Sequence, residues 1–398
     1  MVLSIRWGRV STGQRVRCWR QWRGYDERSD IINATPPKDW RINLSGNPMR
    51  HTFNKPRSAF ALVLRLALLS PFAAPALAQE AGQLNIICSV QAEWCNLIQT
   101  VYARSTGVKV NMSLKGSGEA LAQLIAEKAN PKTDIWFGGT GDPHLQAGEQ
   151  GLSLEYKSPA LPQLHAWAQQ QAQQSGFKTV GIYSGPLGFG YNTELIAKKK
   201  LKVPQTWADL LNPALKGEIQ VANPASSGTA YTMVATLVQL MGEDKAFEYM
   251  KALHKNIATY TRSGTGPIKA AARGETTISI SFVHDGPGEA MQGFPVATIT
   301  PSDGTGAEIG SMSIIKGARN VDAAKKFYDW ALSPQAQQFG AAAKQFQLPS
   351  NKATPVDPRV PDFKKIKFIN YDYAKYGASA ERKRLISKWE KDVNSLPR

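Results

Sequence analysis

Residues 217–232 read Gly-Glu-Ile-Gln-Val-Ala-Asn-Pro-Ala-Ser-Ser-Gly-Thr-Ala-Tyr-Thr, an order that predicts a strand, a turn and a helix. Ile219 to Ala222 form the strand, Asn223-Pro224 breaks it, and a helix follows to about Met241. A helix start offers unpaired N–H groups and the positive end of the macrodipole. Ser226, Ser227, Gly228 and Thr229 fall there, with hydroxyl donors and a glycine that admits a close ligand. Two readings stand side by side: an ordinary Ser/Thr cap, or a site for an anion.

The same strand-turn-helix unit recurs along the chain. Leu84–Cys88, Val108–Leu114 and Asp134–Phe137 read as strands, and helices follow at Glu93–Ser105, Glu119–Ala129 and near His144–Gln150. Further helices are expected at Asp244–Leu253, Pro267–Arg273, Val321–Leu332 and Pro334–Lys344, with a strand at Thr277–Val283. Pro204 to Pro213 reads as the strand-helix unit that opens a second series. Alternation of this kind implies an α/β fold with a parallel sheet covered on both faces. Ligands of such sheets sit beyond the carboxyl ends of the strands. Three turns qualify in the first series: Ser89-Val90-Gln91, Lys115 to Glu119, and Gly138 to Asp142. Within them Ser89, Gln91, Ser117, Gly118, Glu119, Thr140 and Asp142 are candidate ligand contacts, with a helix-cap role as the alternative for Glu119 and Asp142.

The 398 residues suffice for two domains, and the formal charge of +17 is unevenly spread. Residues 1–78 carry 13 Lys/Arg against 4 Asp/Glu, about half of the basic excess. Residues 1–48 lack a helical or strand period, and a start at Met49 reads more economically than a basic arm for nucleic acid. From Met49 the chain looks like a secretory signal: basic Arg50, Lys55 and Arg57, an apolar run Ala59 to Ala74, and Ala76-Leu77-Ala78. Cleavage there gives a mature start near Gln79 and an exported, periplasmic protein. Cys88 ends a strand and Cys95 lies in the next helix's first turn, so a disulfide is expected in an oxidising compartment. Two free thiols are the alternative.

The run Pro204 … Thr206-Trp207-Ala208-Asp209-Leu210 … Pro213-Ala214-Leu215-Lys216-Gly217 … Asn223-Pro224 … Ser227-Gly228-Thr229, with Ser333 to Gln337, resembles the periplasmic solute-binding proteins of ABC importers. The group includes ferric-ion-binding proteins, and the likeness covers residues 80–390. It implies a type II fold of two lobes joined by crossing strands around a cleft. The first lobe would hold residues 79–182, the second 183–296, and 297–398 the return crossover, the rest of the first lobe and C-terminal helices. It also implies an inner-membrane ABC permease as partner, a monomer, and no cofactor.

Ferric-binding members carry an adjacent Tyr-Tyr pair; here Phe282-Val283-His284-Asp285 follows the strand. One His and one Asp replace phenolate poorly for a hard ion, which leaves iron as the second choice of ligand. The His-Asp pair resembles instead a subgroup that binds hexose phosphates, with aminophosphonate-binding relatives. In that resemblance His284, Asp285 and Glu308 contact the organic part and the Ser/Thr helix starts hold the phosphate. A strand-end histidine and a turn-forming aspartate are the plain alternatives. An exported phosphatase is the reading from another class, but no nucleophile-plus-base pair or two-metal cluster is evident. Tyr371, Tyr373, Tyr376, His144, His165 and His254 read as packing or surface residues.

Overall fold

The structure, a computed structural model, describes residues 82–398. The extension 1–48, the signal segment 49–78 and the cleavage site after Ala78 lie outside the described residues.

Three strand-helix units open the fold: β1 (Gln83–Cys88), α1 (Ala92–Thr106), β2 (Lys109–Leu114), α2 (Ser117–Ala126), β3 (Ile135–Thr140) and α3 (Gly141–Glu149). Then come α4 (Ala166–Gln174), the long β4 (Val180–Asn192) and α5 (Thr193–Lys198). The second series is β5 (Ile219–Ala222), α6 (Gly228–Met241), α7 (Glu243–His254), β6 (Ile257–Thr261), α8 (Gly266–Ala272), β7 (Ile278–Phe282) and α9 (Gly286–Ala290). The chain returns through β8 (Val296–Ile299) and β9 (Ala307–Ile314), then α10 (Val321–Ala331), α11 (Pro334–Ala342) and β10 (Leu348–Pro349). It closes with α12 (Tyr373–Gly377) and α13 (Ser379–Trp389). The stretch 217–232 folds as read, with the strand at Ile219–Ala222 and the helix ending at Met241.

The strand order is β2-β1-β3-β9-β4-β7-β5-β6, with β8 and β10 also paired to β4. Pairs among β1, β2 and β3, and among β5, β6 and β7, are parallel, as strands joined by helical crossovers are. The middle departs from the expected all-parallel sheet: β9 runs antiparallel to β3 and β4, and β4 antiparallel to β7 and β8. β4 is the shared strand. Val180 to Pro186 pair with β9, and Leu187 to Tyr191 pair with β7.

Packing divides at the same place. Val180, Ile182 and Tyr183 join the apolar core of the first half, whereas Leu187 and Phe189 join that of the second. Tyr371, Tyr376, Leu385 and Trp389 also pack into the second core, so the C-terminal helices cover that half. A disulfide joins Cys88 to Cys95, Cα atoms 6.2 Å apart, and ties β1 to α1.

Pro204 to Pro213 forms no strand-helix unit. Ala208–Leu211 is a single 3-10 turn, because Asp209 accepts the N–H groups of Gln205 and Thr206 at 2.8 and 2.9 Å and folds the segment on itself. Trp207 anchors it, fully buried edge-on to Phe189, with its indole N–H donated to the Gly304 carbonyl at 2.9 Å.

Candidate functional site

Between the two halves lies a cavity of about 320 Å³, a size that suits a small organic molecule better than a bare ion. Several helices begin at its wall, four of them, α1, α2, α3 and α6, through Gln91-Ala92, Ser117, Thr140 and Ser227-Gly228. At three of these starts the cap residue, Gln91, Thr140 or Ser227, makes no side-chain bond to its own helix. Ser227 therefore does not act as the conventional cap, and its hydroxyl remains for a ligand. The fourth start differs: Glu119 accepts the Gly116 N–H at 3.4 Å, so its alternative role as a cap holds.

One wall comes from the first half. Ser89 Oγ accepts the Trp136 indole N–H at 2.9 Å, and Ser117 Oγ accepts the Thr140 N–H at 3.2 Å. His144, buried and stacked on Trp136, fixes the neighbouring turn through the Gly138 carbonyl at 3.0 Å. The opposite wall holds Ser227, Gly228, Thr229, the 263–265 turn and Lys269 of α8. The floor is the pair of crossing strands, which present Tyr183 and Glu308 beside His284 and Asp285.

The floor is acidic and its side chains are buried. Asp285 Oδ1 accepts the Gln91 side-chain amide at 3.1 Å, a bond between the two halves. His284 Nε2 stands 3.6 Å from Asp285 and 3.5 Å from Glu308, beyond hydrogen-bond length. Burial pushes the imidazole down to about 3, so it is neutral and these are not ion pairs. Burial lifts Asp285 to about 7 and, with Asp285 adding its charge, holds Glu308 well above the carboxylate range. A protonated Glu308 beside an ionising Asp285 gives the floor both a donor and an acceptor. Tyr183 stays a phenol, raised by burial and by the charge of Glu308, and its oxygen accepts the Gly139 N–H at 3.0 Å.

These acids bind their protons more tightly folded than unfolded. The unliganded chain is therefore expected to lose stability as pH rises from the unfolded aspartate value of 3.8 to about 7, where Asp285 ionises. Thermal melts across that window should show Asp285→Asn with a shallower fall than the wild type. Parallel curves would mean that Asp285 is solvated when folded.

Of the residues expected at the site, Ser89, Gln91, Ser117, Glu119, Thr140, Ser227, Gly228, Thr229, His284, Asp285 and Glu308 line the cavity. Three do not. Gly118 donates its N–H to the Ser226 carbonyl at 3.1 Å, and a Cβ there would overlap the Ala225 carbonyl, so it seals one half against the other. Ser226 turns its hydroxyl to the Arg262 carbonyl at 2.9 Å. Asp142 is buried two residues past Thr140, about 200° further round the helix, and faces Arg382 instead. Glu119 also pairs with Arg262 across the mouth, and that guanidinium holds its carboxyl below the usual value. Sequence reasoning missed Lys269, Tyr183 and Gln347, all in the lining. A lysine in the helix that follows the Thr261–Gly266 turn was the one available signal.

A family model described as bacterial extracellular solute-binding protein matches residues 130–376. An uncharacterised protein of Haemophilus influenzae is 43% identical over 344 residues, 86% of this chain and 98% of its own length. Among solved structures, the periplasmic binding protein AfuA from Actinobacillus pleuropneumoniae, with exogenous fructose-6-phosphate bound, shares 47% identity with a TM-score of 0.77. That match covers 79% of this chain and 99% of AfuA. The periplasmic binding protein P5PA shares 42% identity with a TM-score of 0.76, over 78% of this chain and 99% of its own. The fold is that of the type II periplasmic binding proteins, and the chain belongs to the bacterial extracellular solute-binding protein family.

Proposed function

We propose that this protein captures a phosphorylated small molecule, a hexose phosphate first and a phosphonate second, in the periplasm. It then passes the molecule to an inner-membrane ABC permease without chemical change. The observation that carries this reading is the two-ended cavity. One side gathers the helix starts of Thr140 and Ser227, whose hydroxyls are uncommitted to capping, with Lys269 also in the lining, which suits a phosphate. The other gathers a neutral imidazole, a neutral phenol and two acids of different protonation, which suits sugar hydroxyls. The fructose-6-phosphate held by AfuA supports the same ligand class. Ferric iron is disfavoured by the donors themselves, since the cavity lining carries a single tyrosine, Tyr183, and no adjacent tyrosine pair.

Calorimetry with glucose 6-phosphate, 2-aminoethylphosphonate, inorganic phosphate and ferric citrate tests the reading. Stoichiometric heat with an organic phosphate or phosphonate, and no released phosphate, is expected. Heat from ferric citrate alone would overturn the ligand class, and turnover would overturn the non-catalytic role.

A further inference from the structure

A buried cation sits beneath the turn that opens α6. Arg382 of α13 is only 5% exposed, and its Nη2 donates to the carbonyls of Pro224 at 3.3 Å and Ala225 at 3.5 Å. Its guanidinium lies 4.5 Å from the ring centre of Tyr231, whose hydroxyl is tied to the Tyr376 carbonyl at 2.7 Å. The next carbonyl, Ser226, is taken by the Gly118 N–H from the other half. Three successive carbonyls, 224, 225 and 226, are thus held away from the cavity, and the first-turn N–H groups at Gly228 and Thr229 follow directly.

Burying a guanidinium is costly unless the site uses its charge or its hydrogen bonds. The acid whose charge reaches it is Asp142 of α3, but no ion pair joins the two, and among the described residues neither Asp142 Oδ1 nor Arg382 Nη1 has a hydrogen-bond partner. The charge of Arg382 is therefore only partly compensated, and it lies behind a helix start that already favours an anion.

We propose that Arg382 is a positioning residue of the anion site: it fixes the 224–226 turn from below and sets a permanent positive charge behind the first turn of α6. Asp142 opposes it and trims that charge. The idea rests on the proposed capture of a phosphorylated ligand, and it reaches beyond the cavity lining to a residue that touches no ligand.

The test compares wild type, R382Q, R382K and D142N in two measurements. The first is glucose 6-phosphate titration at about pH 8, where Asp142 is largely ionised. R382Q should weaken binding about 30-fold, from loss of charged hydrogen bonds to two carbonyls. D142N should tighten it about threefold, because it removes a charge that repels the anion. The second measurement is amide exchange in ligand-free protein, where R382Q should speed exchange at Ser227 and Tyr231, whose N–H groups bond the Asn223 and Ser227 carbonyls at 2.9 and 3.2 Å, about tenfold while β1 is unchanged. Should R382Q not fold, R382K serves, with an expected loss of about fivefold and the same faster exchange, since an ammonium cannot span both carbonyls.

Binding within twofold of wild type, unchanged exchange at Ser227 and Tyr231, or weakening by D142N alongside R382Q would each overturn the proposal. If wild type binds no phosphorylated ligand but R382Q still frees those amides, the proposed function falls and the positioning role stands.

Discussion

Gly228→Ala is expected to weaken glucose 6-phosphate binding by roughly 10- to 100-fold, about 1–3 kcal/mol of overpacking, while the unliganded chain stays folded. Gly228 is the first residue of α6 and meets Thr140, the residue that opens α3 in the other half. A Cβ on Gly228 would overlap Thr140 Oγ1 and lie 2.8 Å from both Cβ and Cγ2 of that side chain. Rotating Thr140 gives no relief, because its Cβ stays where the backbone puts it. Thr140 is also buried and has nowhere to retreat. The two halves must part instead, and the parting opens the cavity. Small-angle scattering should show that glucose 6-phosphate compacts the wild type and leaves Gly228→Ala extended. Equal affinity in calorimetry would mean that the halves adjust around the methyl group.

Asp285→Ala carries the second large effect, with opposite signs on binding and on stability. Its carboxylate accepts from Gln91 and faces the cavity, so its loss removes an acceptor for a ligand hydroxyl and leaves Gln91 unpaired. A loss of about 2 kcal/mol, or about 30-fold in affinity, is expected for glucose 6-phosphate. The same deletion removes a buried acid that disfavours the folded state once ionised, above about pH 7. It also relieves Glu308, whose proton is held partly by the charge of Asp285. The unliganded variant should thus melt higher than wild type at alkaline pH while binding worse. A parallel fall in both properties would show Asp285 to be a structural residue of the turn.

Much of the fold was legible because local chemistry and tertiary structure agree. Asn223-Pro224 can neither extend β5 nor sit inside α6, so both boundaries follow from two residues. Ser89, Ser117, Thr140 and Ser227 could be found because each stands between a strand end and a helix start. Direction along the helix was not legible. Thr140 and Asp142 occupy one turn, but only a three-dimensional arrangement tells which faces the cavity and which faces Arg382. Ser226 and Ser227 are neighbours with the same side chain, and the Arg262 carbonyl decides which hydroxyl is spent elsewhere. Tyr183 stands in the Gly-punctuated run 183–192, which by itself indicates only extended chain. Its role follows from β4 passing under the cavity beside β9, a pairing between residues more than a hundred positions apart.

That pairing has a consequence for the order in which the chain folds as it is made. β3 has β1 on one side and β9 on the other, so the first-half sheet cannot finish until residue 314 has been synthesised. β4 likewise waits for β9 along its first half, whereas β5, β6 and β7 need only β4 and one another. Such distant contacts are slow to form, since the intervening loop must close before any contact rewards it. An early fragment emerging from the ribosome is therefore left with an unfinished edge. The topology itself delays folding, which suits the proposed periplasmic role, since a chain that stays unfolded longer remains threadable through a translocation pore.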